Sequence, residues 1–164
     1  MIPTQTIHIL LVDDDPNHRF LIRKLLSKNS VRNEVTELED GQQALDYMYR
    51  RGIYSDRGKF PDPDFILLDI KMPGIDGLKV LKVIKHDEQT QQVPVVMLTT
   101  STLEEEIIQS YKDGANAFVT KPISYEDFAR TITALGKFWV SAVEFPPRVP
   151  PQKGQERIRP TLPA

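Results

Sequence analysis

Phe65-Ile66-Leu67-Leu68-Asp69 decides the fold. Four consecutive apolar residues are too few for a helix and read as a strand buried on both faces, the kind found in parallel sheets covered by helices. Two further runs have the same build: Ile9-Leu10-Leu11-Val12, followed by Asp13-Asp14-Asp15, and Val95-Val96-Met97-Leu98, followed by Thr99-Thr100-Ser101. A shorter run, Ala117-Phe118-Val119-Thr120, leads into Lys121-Pro122. In a parallel sheet the carboxyl ends of these strands share one edge, where open α/β sheets place their ligands. Carboxylates, hydroxyls and one ammonium then converge on a single cleft.

Working outward, Ile7 to Val12 reads as a full strand. Asp15-Pro16 opens a helix, with Asp15 as cap, Pro16 at the first helical position, and Phe20, Leu21, Leu25 and Leu26 at helical spacing. Glu34 to Leu38 reads as a second strand, and Asp40-Gly41 starts a helix with Ala44, Leu45, Met48 and Tyr49 on one face. The connection from Arg50 to Pro63 is longer than is usual between a helix and a strand; it reads as a lid, a partner surface or a plain insertion. After Asp69, Met72-Pro73-Gly74 marks a turn and Asp76-Gly77 starts a helix carrying Leu78, Val80, Leu81, Val83 and Ile84. Val93 to Leu98 is the next strand. Ser101-x-x-Glu104 and Thr102-x-x-Glu105 both fit a capping box for a helix with Ile107, Ile108 and Tyr111, ending at Gly114. Ser124-x-x-Asp127 starts a last helix with Phe128, Ile132, Leu135 and Trp139 on one face. The alternation predicts an α/β fold, with helices on both faces of a doubly wound, five-stranded parallel sheet.

The chain has 164 residues, enough for one domain and a modest excess. Its formal net charge of -2 gives no basic face for nucleic acid, so no nucleic-acid partner is expected. Without cysteine there is neither a disulfide framework nor a thiolate metal site, which suits a reducing compartment. The N-terminus lacks a signal-peptide pattern and no stretch approaches the ~20 apolar residues of a membrane span. A cytoplasmic protein with no membrane association is therefore expected. From about Phe145 onward prolines recur among Arg148, Lys153, Arg157 and Arg159, the composition of an extended tail.

Asp13, Asp14 and Asp69 are the candidate ligands for a hard cation such as Mg²⁺, which takes oxygen donors and keeps several waters. Without metal they repel one another, and a divalent ion relieves this. For Asp15 the plainer reading, a helix cap, is preferred. Asp69 is the candidate nucleophile, since a carboxylate can form an acyl phosphate once the incoming phosphoryl oxygens are neutralised. Thr99 reads as a hydroxyl donor to a phosphoryl oxygen or as a cap for the next helix. Lys121 reads as a point charge for a phosphate or as a solvated loop lysine.

Taken together, Val12-Asp13-Asp14, Leu68-Asp69-x-x-Met72-Pro73-x-x-Asp76-Gly77, Leu98-Thr99 and Lys121-Pro122 resemble the receiver domain of two-component response regulators, over roughly residues 7 to 140. The resemblance implies the flavodoxin-like (βα)5 fold with strand order 2-1-3-4-5. It further implies that Asp69 accepts a phosphoryl group from a histidine kinase or phosphotransfer protein in phosphorelay signal transduction. Asp14, Asp69 and the backbone carbonyl of Lys71 would bind Mg²⁺ (or Mn²⁺), with Asp13 acting mainly through water. Thr99 and Lys121 would contact the phosphoryl group, and the Lys121-Pro122 peptide would be cis. Phe118 matches the family's switch aromatic, although the residue reads equally as core packing. Lys71 and Ser101 stand where the family tunes the lifetime of the phosphoryl group. Enzymatic activity would be confined to self-phosphorylation from a phosphodonor and autodephosphorylation at Asp69.

The 50–63 connection and the Phe138-Trp139 ending resemble stand-alone regulators paired with phytochromes, implying a sensor histidine kinase, such as a phytochrome, as partner. Residues 1–142 would form the receiver domain and 143–164 a Pro-rich extension, with no effector domain. Phe138, Trp139, Val140, Val143 and Phe145 exceed what one helix face buries, which predicts a homodimer through the segment Trp139 to Val149. Three other readings compete. A dehalogenase-like phosphatase would need a general acid where Lys71 stands. A flavin-binding protein would have its phosphate repelled by the acidic triplet and lacks a phosphate loop after the first strand. A phosphate-independent docking module is the remaining alternative.

Overall fold

The structure, a computed structural model, describes residues 5–147. Strands β1 (Ile7–Val12), β2 (Asn33–Leu38), β3 (Phe65–Leu68), β4 (Val95–Thr99) and β5 (Ala117–Thr120) form one sheet in the order β2-β1-β3-β4-β5. Every pairing is parallel. Helices α1 (Pro16–Ser27), α2 (Gly41–Met48), α3 (Gly77–Lys85) and α4 (Glu104–Lys112) make the four crossovers, and α5 (Tyr125–Trp139) follows the last strand.

Successive strand residues point to opposite faces, so each central strand feeds two cores. From β3, Ile66 and Leu68 pack with α2 and α3, while Phe65 and Leu67 pack with α1 and α5. In β1, Leu10 and Val12 join the first core and Ile9 and Leu11 the second. All eight are essentially fully buried, each stabilising the fold by roughly 1.5–3 kcal/mol relative to exposure.

Local chemistry sets the helix starts as the sequence predicts at four of the five helices. Asp15, Asp40, Asp76 and Ser124 each accept a hydrogen bond from a first-turn N–H, and Pro16 occupies the first turn of α1. The capping boxes expected for α4 do not form. Leu103 is its N-cap, and Ser101 Oγ instead accepts from the Leu103 N–H at 3.3 Å, a local turn that competes with capping. Helix α4 buries only Ser110, leaving Ile108 and Tyr111 exposed. On α1 the buried stripe is Arg19, Ile22 and Leu26; Phe20 is exposed, beneath the Arg23 and Lys24 cations.

The 50–63 connection holds a short 3₁₀ helix, Gly52–Ser55, and closes on itself. Tyr47, Tyr54 and Phe60 form an aromatic cluster, and Arg50 Nη2 meets Asp62 Oδ1 at 2.5 Å. Because this segment leads into the start of β3, it lies at the sheet edge opposite the strands' carboxyl ends, so the lid reading fails. No cis peptide occurs among the described residues, so the Lys121-Pro122 bond is trans, correcting the cis expectation; trans is the default for X-Pro by ~0.5–1 kcal/mol.

Beyond α5 the chain turns back onto its own domain. Phe65 stacks with Trp139 at 5.7 Å and with Phe145 at 5.5 Å, and Val140 is buried. The apolar excess expected at this end is therefore largely consumed internally, with Phe138 left exposed. The remainder of the expected dimer segment and of the Pro-rich extension, residues 148–164, lies outside the described residues.

Candidate functional site

Three strand ends and one loop build the site. Asp13 follows β1 and is held from both sides: its N–H donates to Leu38 O at 3.1 Å, and Arg19 Nη1 donates to its carbonyl at 2.6 Å. Asp69 follows β3; its N–H donates to Val12 O at 3.0 Å, which locks it beside Asp13. Its Oδ1 accepts from the Ile70 N–H at 2.7 Å. Thr99 is fully buried, with Oγ1 accepting from the Ser101 N–H at 3.2 Å. The Lys121 N–H donates to Thr99 O at 2.7 Å, tying the loop after β5 to the end of β4.

Backbone approach is closest at Gly77. Its N–H donates to Ile70 O at 2.8 Å, and a Cβ there would collide with the carbonyl oxygen of Asp69. Only glycine lets the start of α3 reach the Asp69 turn so closely.

Oxygens of Asp13, Asp14 and Asp69 lie within 4.8 Å of one another. Asp13 and Asp69 are buried, whereas Asp14 is exposed and lines a surface depression with Lys71, Met72, Asp76 and Glu106. This is a hard, all-oxygen donor set with one side open for water, so the residues present fit a Mg²⁺-type ion. Lys121 Nζ donates to Asp13 Oδ2 in a short contact and to Asp69 Oδ2 at 3.2 Å. Burial pushes the Asp13 carboxyl above its ordinary value; Lys121 pulls it back only in part, and the Asp69 charge adds to the rise.

The expected residues are thus brought together, with two qualifications. The Lys71 ammonium turns outward to Glu106 Oε1 at 3.3 Å, so only its backbone faces the turn. Phe118 is half-buried against the α2–α3 core, and its N–H donates to Tyr111 Oη at 3.2 Å. Sequence reasoning passed over Arg19, Glu106 and His18. His18 Nδ1 lies 3.0 Å from Lys121 Nζ. Its signal was available: a ring three residues after the capping Asp15 faces the same way as the start of that helix.

The response regulator receiver domain model matches residues 9–133. A probable methanogenesis regulatory protein, FilR2 of Methanothrix harundinacea, is 35% identical over 132 residues, covering 80% of this chain and 83% of the relative. The response regulator Rcp1 of Synechocystis sp. is 33% identical over 138 residues, covering 84% and 92%; its Mn²⁺-bound crystal structure superposes with a TM-score of 0.82, covering 86% and 99%. The phosphorylated cyanobacterial phytochrome response regulator RcpA is also 33% identical with a TM-score of 0.82, covering 87% of this chain and all of that one.

Proposed function

This chain belongs to the response regulator receiver domain family of phosphorelay signalling, and on that premise we propose that Asp69 is its phosphoacceptor. The observation that carries the proposal is the enclosure of Asp69 by Asp13, Asp14 and Lys121 at one sheet edge.

A histidine kinase supplies the phosphoryl group. An Asp69 oxygen attacks the phosphorus of a phosphohistidine; the new P–O bond forms as the P–N bond breaks, and the released imidazole takes a proton. Asp13, Asp14 and Asp69, with the Lys71 carbonyl, would hold Mg²⁺ or Mn²⁺, which when bound neutralises the phosphoryl oxygens. Lys121 exchanges its Asp69 contact for a phosphoryl oxygen, and the Thr99 hydroxyl donates to another. Moving Thr99 toward the phosphoryl group breaks its contact with the Ser101 N–H, which frees the segment before α4 to repack with Phe118. Lys71 and Ser101 hold the positions that tune the lifetime of the phosphoryl group in the family this chain resembles.

We further propose that the kinase is a phytochrome, in keeping with what RcpA is named for. The receiver spans 1–142 and the extension 143–164. A cytoplasmic location fits the described residues, in which no helix is long and apolar enough to cross a membrane. The net charge of -2 supports a protein partner rather than nucleic acid. Homodimerisation through the C-terminal helix and extension has exposed Phe138 in its favour; light scattering at micromolar concentration should give twice the chain mass, and a single-chain mass would end it.

Intact mass after incubation with phosphoramidate tests the main proposal. A Mg²⁺-dependent gain of one phosphoryl group, lost in Asp69→Asn, is expected; no gain under any condition would leave a phosphate-independent docking module.

A further inference from the structure

We propose that His18 is a positioning residue for phosphoryl transfer: through Nδ1 it anchors the Lys121 ammonium, in a ring tautomer favoured by Asp15. The inference rests on the function proposed for Asp69.

An ammonium has three N–H donors and no acceptor. Lys121 has three partners: Asp13 Oδ2, Asp69 Oδ2 at 3.2 Å and His18 Nδ1 at 3.0 Å. Because Nζ can only donate, Nδ1 must be the bare nitrogen, and the ring proton sits on Nε2. Nε2 lies 3.5 Å from Asp15 Oδ2 and Nδ1 lies 4.0 Å from Asp13 Oδ2, so the nearer carboxylate favours the same tautomer. Asp15 is itself fixed as the cap of α1, its Oδ1 accepting from the Asn17 and His18 N–H groups at 2.8 and 3.4 Å. The ring lies beside Phe128 of α5, centroids 5.7 Å apart and planes inclined at 32°, which sets its tilt. Helix caps, ring packing and tautomer thus all direct one lone pair at one ammonium.

The consequence appears when Asp69 becomes phosphorylated. A lysine held by two carboxylates alone would lose one anchor and be drawn onto Asp13, its short contact. A neutral acceptor holds Nζ in place without neutralising it, so the charge stays available for the phosphoryl oxygen.

Phosphoryl uptake from phosphoramidate with Mg²⁺ is measured by intact mass for wild type, His18→Ala and His18→Asn, whose amide oxygen can replace Nδ1. His18→Ala should take up the group about three- to tenfold more slowly, the scale of one ordinary net hydrogen bond. His18→Asn should recover to within about twofold of wild type. Histidine ¹⁵N shifts of the metal-free wild type should report His18 protonated on Nε2, a readout that needs no variant to fold. Uptake by His18→Ala equal to wild type, His18→Asn no faster than His18→Ala, or a proton on Nδ1 would each overturn the inference. Wild type that takes up nothing overturns the function of Asp69 itself, a separate failure.

Discussion

Lys121 Nζ stands 3.2 Å from Asp69 Oδ2 while also donating to Asp13, so one buried cation bridges two carboxylates from different strands. The pairing joins the ends of β1 and β3 to the loop after β5. It also places a positive charge where the sequence puts its negative ones.

Removing that cation leaves two buried carboxylates facing each other. Lys121→Met should destabilise the metal-free protein by about 2–4 kcal/mol, near the cost of breaking a buried ion pair. Urea unfolding measures it, and saturating Mg²⁺ should restore part of the loss by binding the folded state alone. An unchanged urea midpoint would show that the bridge contributes nothing to stability.

The metal-free site should also make stability depend on pH in a stated direction. Burial holds the Asp13 carboxyl above its ordinary 3.8. A carboxyl raised in the folded state contributes stability that is fully present below its unfolded value and lost as pH rises through its folded value. Ionised Asp13 is therefore a cost at neutral pH, and Asp13→Asn should be more stable than wild type there without metal. The advantage should shrink as pH falls toward 3.8, as urea midpoints at a series of pH values would register.

Gly77→Ala tests the link between packing and chemistry. The added methyl would meet the Asp69 carbonyl, so the start of α3 must retreat. Overpacking of this kind costs about 1–3 kcal/mol. Phosphoryl uptake should fall with stability, because the collision is with the carbonyl of Asp69 itself. Wild-type uptake in this variant would show that the close approach is dispensable.

Phe60→Ala is the counterpart at the opposite sheet edge. Opening the Tyr47, Tyr54 and Phe60 cluster should cost about 1–3 kcal/mol, less than a fully buried Phe. The rate of phosphoryl uptake should stay at the wild-type value, and a slowed rate would argue that the 50–63 segment reaches the site.

Why the sheet was legible follows from β3. Four apolar residues feeding two cores leave no solvent face, and a polar residue after such a strand has one edge to stand on. Asp13, Asp69, Thr99 and Lys121 were readable for that reason. Helix α4 misled because Ile107, Ile108 and Tyr111 have a buried helix's spacing, yet the bond from Leu103 N–H to Ser101 Oγ moves the helix start past both capping boxes. Phe145 misled differently: its partner, Phe65, is eighty positions away, and no local pattern announces that contact. His18 was lost to its neighbour, because Asp15 explained the start of the helix without it.

Reductive trapping tests the central claim most directly. Borohydride converts an acyl phosphate to an alcohol, so an aspartate that carried the phosphoryl group becomes homoserine and can be placed by peptide mass mapping. After phosphoramidate and Mg²⁺, the account predicts homoserine at position 69 alone, and none without the cation. Homoserine at position 13 or 14, or at no position after confirmed uptake, would contradict it.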